Sequence, residues 1–190
     1  MMIGCDLDDC ILETSSVILD YCNRYYSSNY KWEDIHTYSI EESFGWNEEV
    51  VDKCVRQSLN SSLEPISGAV NILNWLSEIY ELNIISRRRQ SLYNHTFDTL
   101  NRIGLKNFSL YLAHEEDCDW TKSDIANMLE LDVFIEDAPH TIEDLYRNTK
   151  CDILVMSKPW NLRIAENDRI YIVQNWMEVR DWFVVRMFGG

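Results

Sequence analysis

From Pro65 onward, short apolar runs alternate with longer amphipathic stretches, and this alternation restricts the fold more than any other feature of the chain. Residues 68–80, 91–103, 122–131, 139–148 and 176–188 carry apolar side chains at helical spacing. Between them, residues 82–85, 108–113, 133–135, 153–156 and 170–173 are compact apolar runs of strand length. Strands separated by helices cannot pair as hairpins. They require right-handed crossovers and a parallel sheet covered on both faces. With residues 1–5 as a further strand, the pattern predicts an α/β, Rossmann-like three-layer fold.

The segment before Pro65 departs from this rhythm. Residues 12–26 read as a helix with a Val17, Ile18, Tyr21, Cys22 and Tyr25 stripe. Residues 27–63 are polar and rich in aromatics, are broken by Gly45, and carry a second helical pattern over 47–59. We expect a small helical cap, residues 15–63, inserted after the first strand of a core formed by residues 1–14 and 64–190. A chain of 190 residues that is 46% hydrophobic can bury one good core with room for such an insertion, but hardly two independent domains.

Composition also bounds partners. A formal charge of −15 argues against a nucleic-acid polymer, which needs a basic face to displace phosphate counterions. It leaves room for a small anion, because one cation about 4 Å from a phosphate contributes roughly 4 kcal/mol at an effective dielectric near 20. No stretch approaches the length of a membrane span, and no leader pattern opens the chain, so the expectation is a cytoplasmic protein. The six cysteines, Cys5, Cys10, Cys22, Cys54, Cys118 and Cys151, form no CxxC pair and read as reduced, mostly apolar-packed thiols.

Ligands of open parallel sheets bind beyond the carboxyl ends of the strands, so the residues following each apolar run are informative. MMIGC is followed by Asp6, Leu7, Asp8 and Asp9; LNII by Ser86, Arg87, Arg88 and Arg89; VFI by Glu136 and Asp137. Lys122 opens the helix before that last strand. In extended chain, residues two apart share a side, so Asp6 and Asp8 serve one site while Leu7 faces away. Paired carboxylates repel unless a hard cation such as Mg²⁺ lies between them. Each piece has a plainer reading: the first acids as caps for the helix near Ile11, Ser86 as an N-cap, Lys122 as solvated, and Glu136 and Asp137 as caps for the helix at Pro139. Taken together, an acid pair, a hydroxyl, a lysine and a second acid pair, each at a sheet rim, point to chemistry. An EF-hand is a poor match, since Ile11 occupies the position that needs glycine.

This ordered set resembles the haloacid dehalogenase (HAD) superfamily of phosphotransferases, whose motifs are DxDx[TV], a Ser or Thr after the second strand, a Lys and an acidic pair. Here they are DLDDC, IISRR, Lys122 in WTKSDIA, and FIEDAPHTIEDL. Within it, the chain is most similar to the 5'-nucleotidase, deoxy cytosolic type C family and its bacterial relatives, with their DxDDT, ITAR and FIEDxP. The likeness includes the helical cap and a Trp near the last helix, Trp176. It implies a HAD-like fold and a Mg²⁺-dependent phosphomonoester hydrolase acting on a small phosphorylated substrate, by family a nucleoside monophosphate.

Carried over to this chain, the resemblance makes Asp6 the nucleophile and Asp8 the general acid and base. Asp6, the main-chain carbonyl of Asp8 and Asp137 would hold Mg²⁺, supported by Glu136. Ser86, Lys122 and the Arg87 N–H would bind the phosphoryl group, and Arg88 matches the family's Arg. Tyr38, Phe44 and Trp46 of the cap are candidates to stack on a base. Two positions depart from the pattern: Cys10 replaces Thr or Val, and Arg87 stands where relatives often have Ala. A sugar phosphate is the alternative substrate, and a non-catalytic metal-binding relative the alternative function. A phosphoacceptor receiver domain fits less well, because its acceptor Asp follows a later strand. The chain also has no Cys-x5-Arg spacing for a cysteine phosphatase.

Overall fold

The computed structural model describes residues 1–59, 61–114 and 120–188. Six strands, β1 (Met2–Cys5), β2 (Glu81–Arg89), β3 (Phe108–His114), β4 (Val133–Glu136), β5 (Asp152–Met156) and β6 (Ile170–Val173), form one sheet in the order β3-β2-β1-β4-β5-β6. Every neighbouring pair is parallel. The helices are α1 (Thr14–Tyr26), α2 (Ile40–Phe44), α3 (Glu48–Leu59), α4 (Ala69–Ser77), α5 (Tyr93–Arg102), α6 (Lys122–Met128), α7 (Pro139–Asn148) and α8 (Trp176–Phe188). Among the described residues, no helix is long and apolar enough to cross a membrane. The described cysteines, Cys5, Cys10, Cys22, Cys54 and Cys151, are free and buried; Cys118 lies outside the described residues.

The period-two alternation of the strands sorts their side chains into two cores. Ile3, Cys5, Val133, Ile135, Leu154 and Met156 pack with α4, α5 and α8; Phe134, Ile153 and Val155 pack with α6 and α7. Gly4 lies on the second face of the central strand, where a Cβ would come within 2.5 Å of Leu131 Cδ1 and 2.8 Å of Phe134 Cδ2. Only a residue without a side chain lets Phe134 settle there.

Between β1 and β2 the chain leaves the sheet and returns alongside itself: Glu13 N donates to Glu64 O at 3.0 Å and Ile66 N to Ile11 O at 2.8 Å. The intervening helices build a third cluster around Ile18, Leu19, Cys22, Ile35, Ile40, Val51 and Cys54.

Element boundaries differ from expectation where backbone geometry overrides side-chain pattern. Helix α1 starts at Thr14, because Leu12 bridges Asp8 and Pro65. Helix α6 ends at Met128, ahead of Glu130, which takes a left-handed φ of 51°. Strand β2 continues through Ser86 to Arg89 instead of ending at Ile85. Its polar residues keep pairing with β3 across a register shift between Ser86 and Arg89.

Candidate active site

The strand order turns back between β1 and β4, and such a switch point leaves a crevice at the carboxyl ends of the two strands. Asp6 stands at this point, its N–H still in the ladder through a 2.9 Å bond to Ile135 O. The chain then tightens into a loop in which Leu7 O accepts from Ile11 N at 2.9 Å and Leu12 N at 3.0 Å. Leu7 is fully buried, while Asp6 and Asp8 both line one cavity, as their spacing predicts. Asp9 makes the turn possible with a φ of 60°, a conformation that Asp tolerates. Its Oδ1 accepts from Ser15 N at 3.0 Å and Ser15 Oγ at 2.8 Å, so the capping role falls to Asp9 and leaves Asp6 and Asp8 for the cavity.

Lys122 begins α6 beneath the same crevice. It is 4% exposed, and its Nζ lies 2.6 Å from Asp6 Oδ1 and 2.7 Å from Glu136 Oε2. Glu136 ends β4 fully buried, with Oε1 accepting from the N–H groups of Asp137 and Ala138, both at 3.0 Å. Asp137 Oδ2 accepts from Trp160 Nε1 at 3.0 Å, and its Oδ1 accepts from Cys10 Sγ at 3.6 Å. Lys122 is buried, where the plainer reading had it solvated, and Glu136 Oε1 binds N–H groups that precede α7 instead of capping its first turn.

Three buried carboxylates, Asp6, Glu136 and Asp137, thus stand near one ammonium, which contacts the first two. Burial, then the Glu136 charge, pushes the Asp6 carboxyl up to about 7 against the pull of Lys122. Burial, Glu136 and Asp6 push Asp137 well above the usual carboxylate range. Ligand atoms of Asp6, Cys10 and Asp137 lie within 4.8 Å of one another. Unbalanced buried acids at this spacing fit a hard divalent cation, which would relieve their repulsion.

Asp8 has its own cation. Arg88, its side chain 3% exposed, grips the carboxylate with Nη2 at 2.7 Å from Oδ1 and Nε at 3.0 Å from Oδ2; Thr14 Oγ1 adds a 2.6 Å bond to Oδ1. Burial pushes the Asp8 carboxyl up, but the Arg88 charge and these bonds outweigh it and hold the group below its ordinary value. Ser86 is 1% exposed and caps no helix; its Oγ accepts from Arg88 N at 3.2 Å. The Arg87 side chain is exposed, with Nη1 3.5 Å from His140 Nε2 at the start of α7.

These groups open onto a cavity of about 750 Å³. Its lining brings Asp6, Asp8, Ser86, Arg87, Arg88 and Lys122 together with Ile18, Ile35, Tyr38, Ile40, Val51 and Val55 from the segment before Pro65. Tyr38 lies in the cavity lining, its ring 4.9 Å from His140 and 6.5 Å from Trp160. Phe44 and Trp46 do not. Trp46 stacks on Tyr26 at 4.9 Å, Phe44 stacks on Tyr30 at 4.3 Å, and the two rings meet at 4.7 Å, outside the cavity lining. Gly45, with a φ of 66°, ends α2 and turns Trp46 back toward the end of α1.

Sequence reasoning missed three contributors. Thr14 and Trp160 hold the two acids just described. Asn161 Nδ2, buried in the loop after β5, bonds to Asp137 O and Met156 O, both at 2.8 Å. The strand-exit rule applied to β5 would have drawn attention to that loop; nothing local marks Thr14.

The family model for "5' nucleotidase, deoxy (Pyrimidine), cytosolic type C protein" matches residues 1–188. No curated protein matches the chain. Solved structures with the same fold include a haloacid dehalogenase-like hydrolase from Streptococcus pneumoniae, at 16% identity and TM-score 0.68, covering 96% of this chain and 97% of that one. A predicted phosphoglycolate phosphatase from Haemophilus somnus aligns at 13% identity and TM-score 0.65, covering 96% and 97%. The HAD hydrolase YfnB from Bacillus subtilis, bound to magnesium, aligns at 13% identity and TM-score 0.64, covering 96% and 98%.

Proposed function

The chain belongs to the 5' nucleotidase, deoxy (pyrimidine), cytosolic type C family of HAD hydrolases, and from that premise we propose that it is a Mg²⁺-dependent nucleotidase working through an aspartyl phosphate. The observation that carries this reading is the convergence of Asp6, Asp8, Ser86 and Lys122 on one cavity, with Glu136 and Asp137 directly behind. Residues 15–63 serve as the cap over it.

The Asp6 and Asp137 carboxylates and the Asp8 carbonyl would hold Mg²⁺, which supplies positive charge where phosphoryl oxygens gather. Lys122 and Ser86, with the Arg87 N–H, bind the phosphoryl group and lower its repulsion toward an incoming carboxylate. An Asp6 oxygen forms a bond to phosphorus as the ester P–O bond breaks; the leaving oxygen keeps the bonding pair and takes a proton from Asp8. Water then attacks phosphorus and gives a proton to Asp8. The Asp6–phosphorus bond breaks, and inorganic phosphate is released.

The cavity accommodates far more than a phosphate, and the apolar side chains among its lining, with Tyr38, suit the face of a nucleobase. A Mg²⁺-dependent hydrolysis panel of nucleoside monophosphates and sugar phosphates tests the assignment. Release confined to nucleotides supports it; a profile favouring sugar phosphates overturns the substrate class. Asp6→Asn should abolish turnover, and substantial residual activity in the folded variant would refute the nucleophile.

A further inference from the structure

Arg88 is bound twice to the machinery. Its side chain pins both oxygens of Asp8, and its main-chain N–H holds the Ser86 hydroxyl at 3.2 Å. Its remaining guanidinium nitrogen, Nη1, reaches Thr96 Oγ1 on α5 at 3.4 Å, so the fork is anchored at its far end as well. A buried ion pair contributes little stability over apolar packing of the same volume. Its geometric effect is strong, because a planar two-point grip sets both the position and the plane of a carboxylate.

Lone-pair accounting then singles out one atom. A carboxylate offers about four acceptor positions, two on each oxygen. On Asp8, Oδ1 uses two of them, for Thr14 Oγ1 and Arg88 Nη2, while Oδ2 uses one, for Arg88 Nε. The open position lies on Oδ2. Arginine stays charged throughout and does not itself exchange the proton.

Resting on the assignment of Asp8 as acid and base, we propose that Arg88 is a positioning residue: its side chain presents Asp8 Oδ2 as the proton-carrying atom for the leaving oxygen. When the ester P–O bond breaks, the proton on Oδ2 passes to the leaving oxygen, and the grip on Asp8 stays in place. The benefit of Arg88 therefore scales with the leaving group's need for a proton.

The test compares kcat/KM for an alkyl phosphate, whose alkoxide must be protonated, with that for 2,4-dinitrophenyl phosphate, whose leaving group departs as an anion. Full-length protein with Mg²⁺ is used throughout, with Asp8→Asn as reference. General acid catalysis contributes about 100-fold or more, so Arg88→Met should lower the alkyl reaction at least about tenfold more than the dinitrophenyl one. Arg88→Lys keeps the charge without the fork and should show the same bias. If Arg88→Met does not fold, Arg88→Lys carries the test, with dinitrophenyl phosphate turnover reporting an intact site. Equal losses on both substrates, or an unchanged ratio, in either folded variant overturn the positioning role while leaving the phosphatase assignment standing. An Asp8→Asn variant without leaving-group bias removes the premise, and the proposal with it.

Discussion

Replacing Lys122 by Met isolates the electrostatics of the site. Lys122 Nζ contacts Asp6 and Glu136 at 2.6 and 2.7 Å, with both carboxylates nearly or fully buried. At an effective dielectric of about 20, each contact carries roughly 6 kcal/mol of Coulomb attraction, most of it cancelled by desolvation. Removing the lysine strands the acids, and breaking a buried pair in this way costs about 3–5 kcal/mol. For a chain of this size, each kcal/mol moves Tm by about 2–4 °C, so the expected drop is roughly 6–20 °C at pH 8 in the presence of a chelator.

The pH dependence is diagnostic. In the intact protein Asp6 is already raised to about 7. Without the lysine, Asp6 rises further. A carboxyl raised in the folded state stabilises at low pH and loses that contribution as pH climbs through its folded value, so the gap between variant and parent widens above about pH 7. Lys122 adds no pH dependence of its own in this window. Burial would lower its pKa, but the two acids reverse this and hold it well above the ordinary lysine range. Urea denaturation at pH 5.5 and 8 measures both quantities. A loss below about 1 kcal/mol at pH 8, or one that shrinks as pH rises, would refute a buried, uncompensated acid cluster.

Three further outcomes are expected. Saturating Mg²⁺ should raise Tm more at pH 8 than at pH 6, because protons compete for Asp6 and Asp137 at the lower pH; at one hundred times Kd the gain is about 2.7 kcal/mol, and equal shifts would exclude these ligands. Gly4→Ala should cost about 1–3 kcal/mol by chemical denaturation, since the new methyl collides with Leu131 and Phe134; a neutral result would contradict the packing. Trp46→Ala should lose about 2 kcal/mol of stability without altering KM, whereas Tyr38→Ala should raise KM; the reverse pattern would reinstate Trp46 at the cavity.

The sheet was legible because buried parallel strands leave a local signature, short apolar runs such as 133–135 and 153–156 set between helical stripes. The polar residues closing three of those runs, Asp6, Asp8, Ser86, Glu136 and Asp137, stood out for the same reason. What escaped depends on partners distant in sequence. Ser86 to Arg89, being polar, fall outside the apolar run that marks the strand, yet β3 pairs with Ser86 and Arg89. Phe44 and Trp46 carried no mark distinguishing a ring that stacks on Tyr26 and Tyr30 from one that faces a cavity, whereas Tyr38 differs only in where the chain delivers it. Asn161 acts through two carbonyls, a role that a side chain's identity alone does not announce.

Trp176, fully buried at the start of α8, donates from Nε1 to Cys10 O at 2.9 Å, across 166 positions of sequence. The loop between the first acids and α1 is therefore braced by a helix that follows all six strands in chain order. Strand β1 likewise waits for β4 before both its edges are paired. A nascent chain carries Asp6 and Asp8 long before β4 and Trp176 have been made, so the scaffold that sets their geometry closes only after both have emerged.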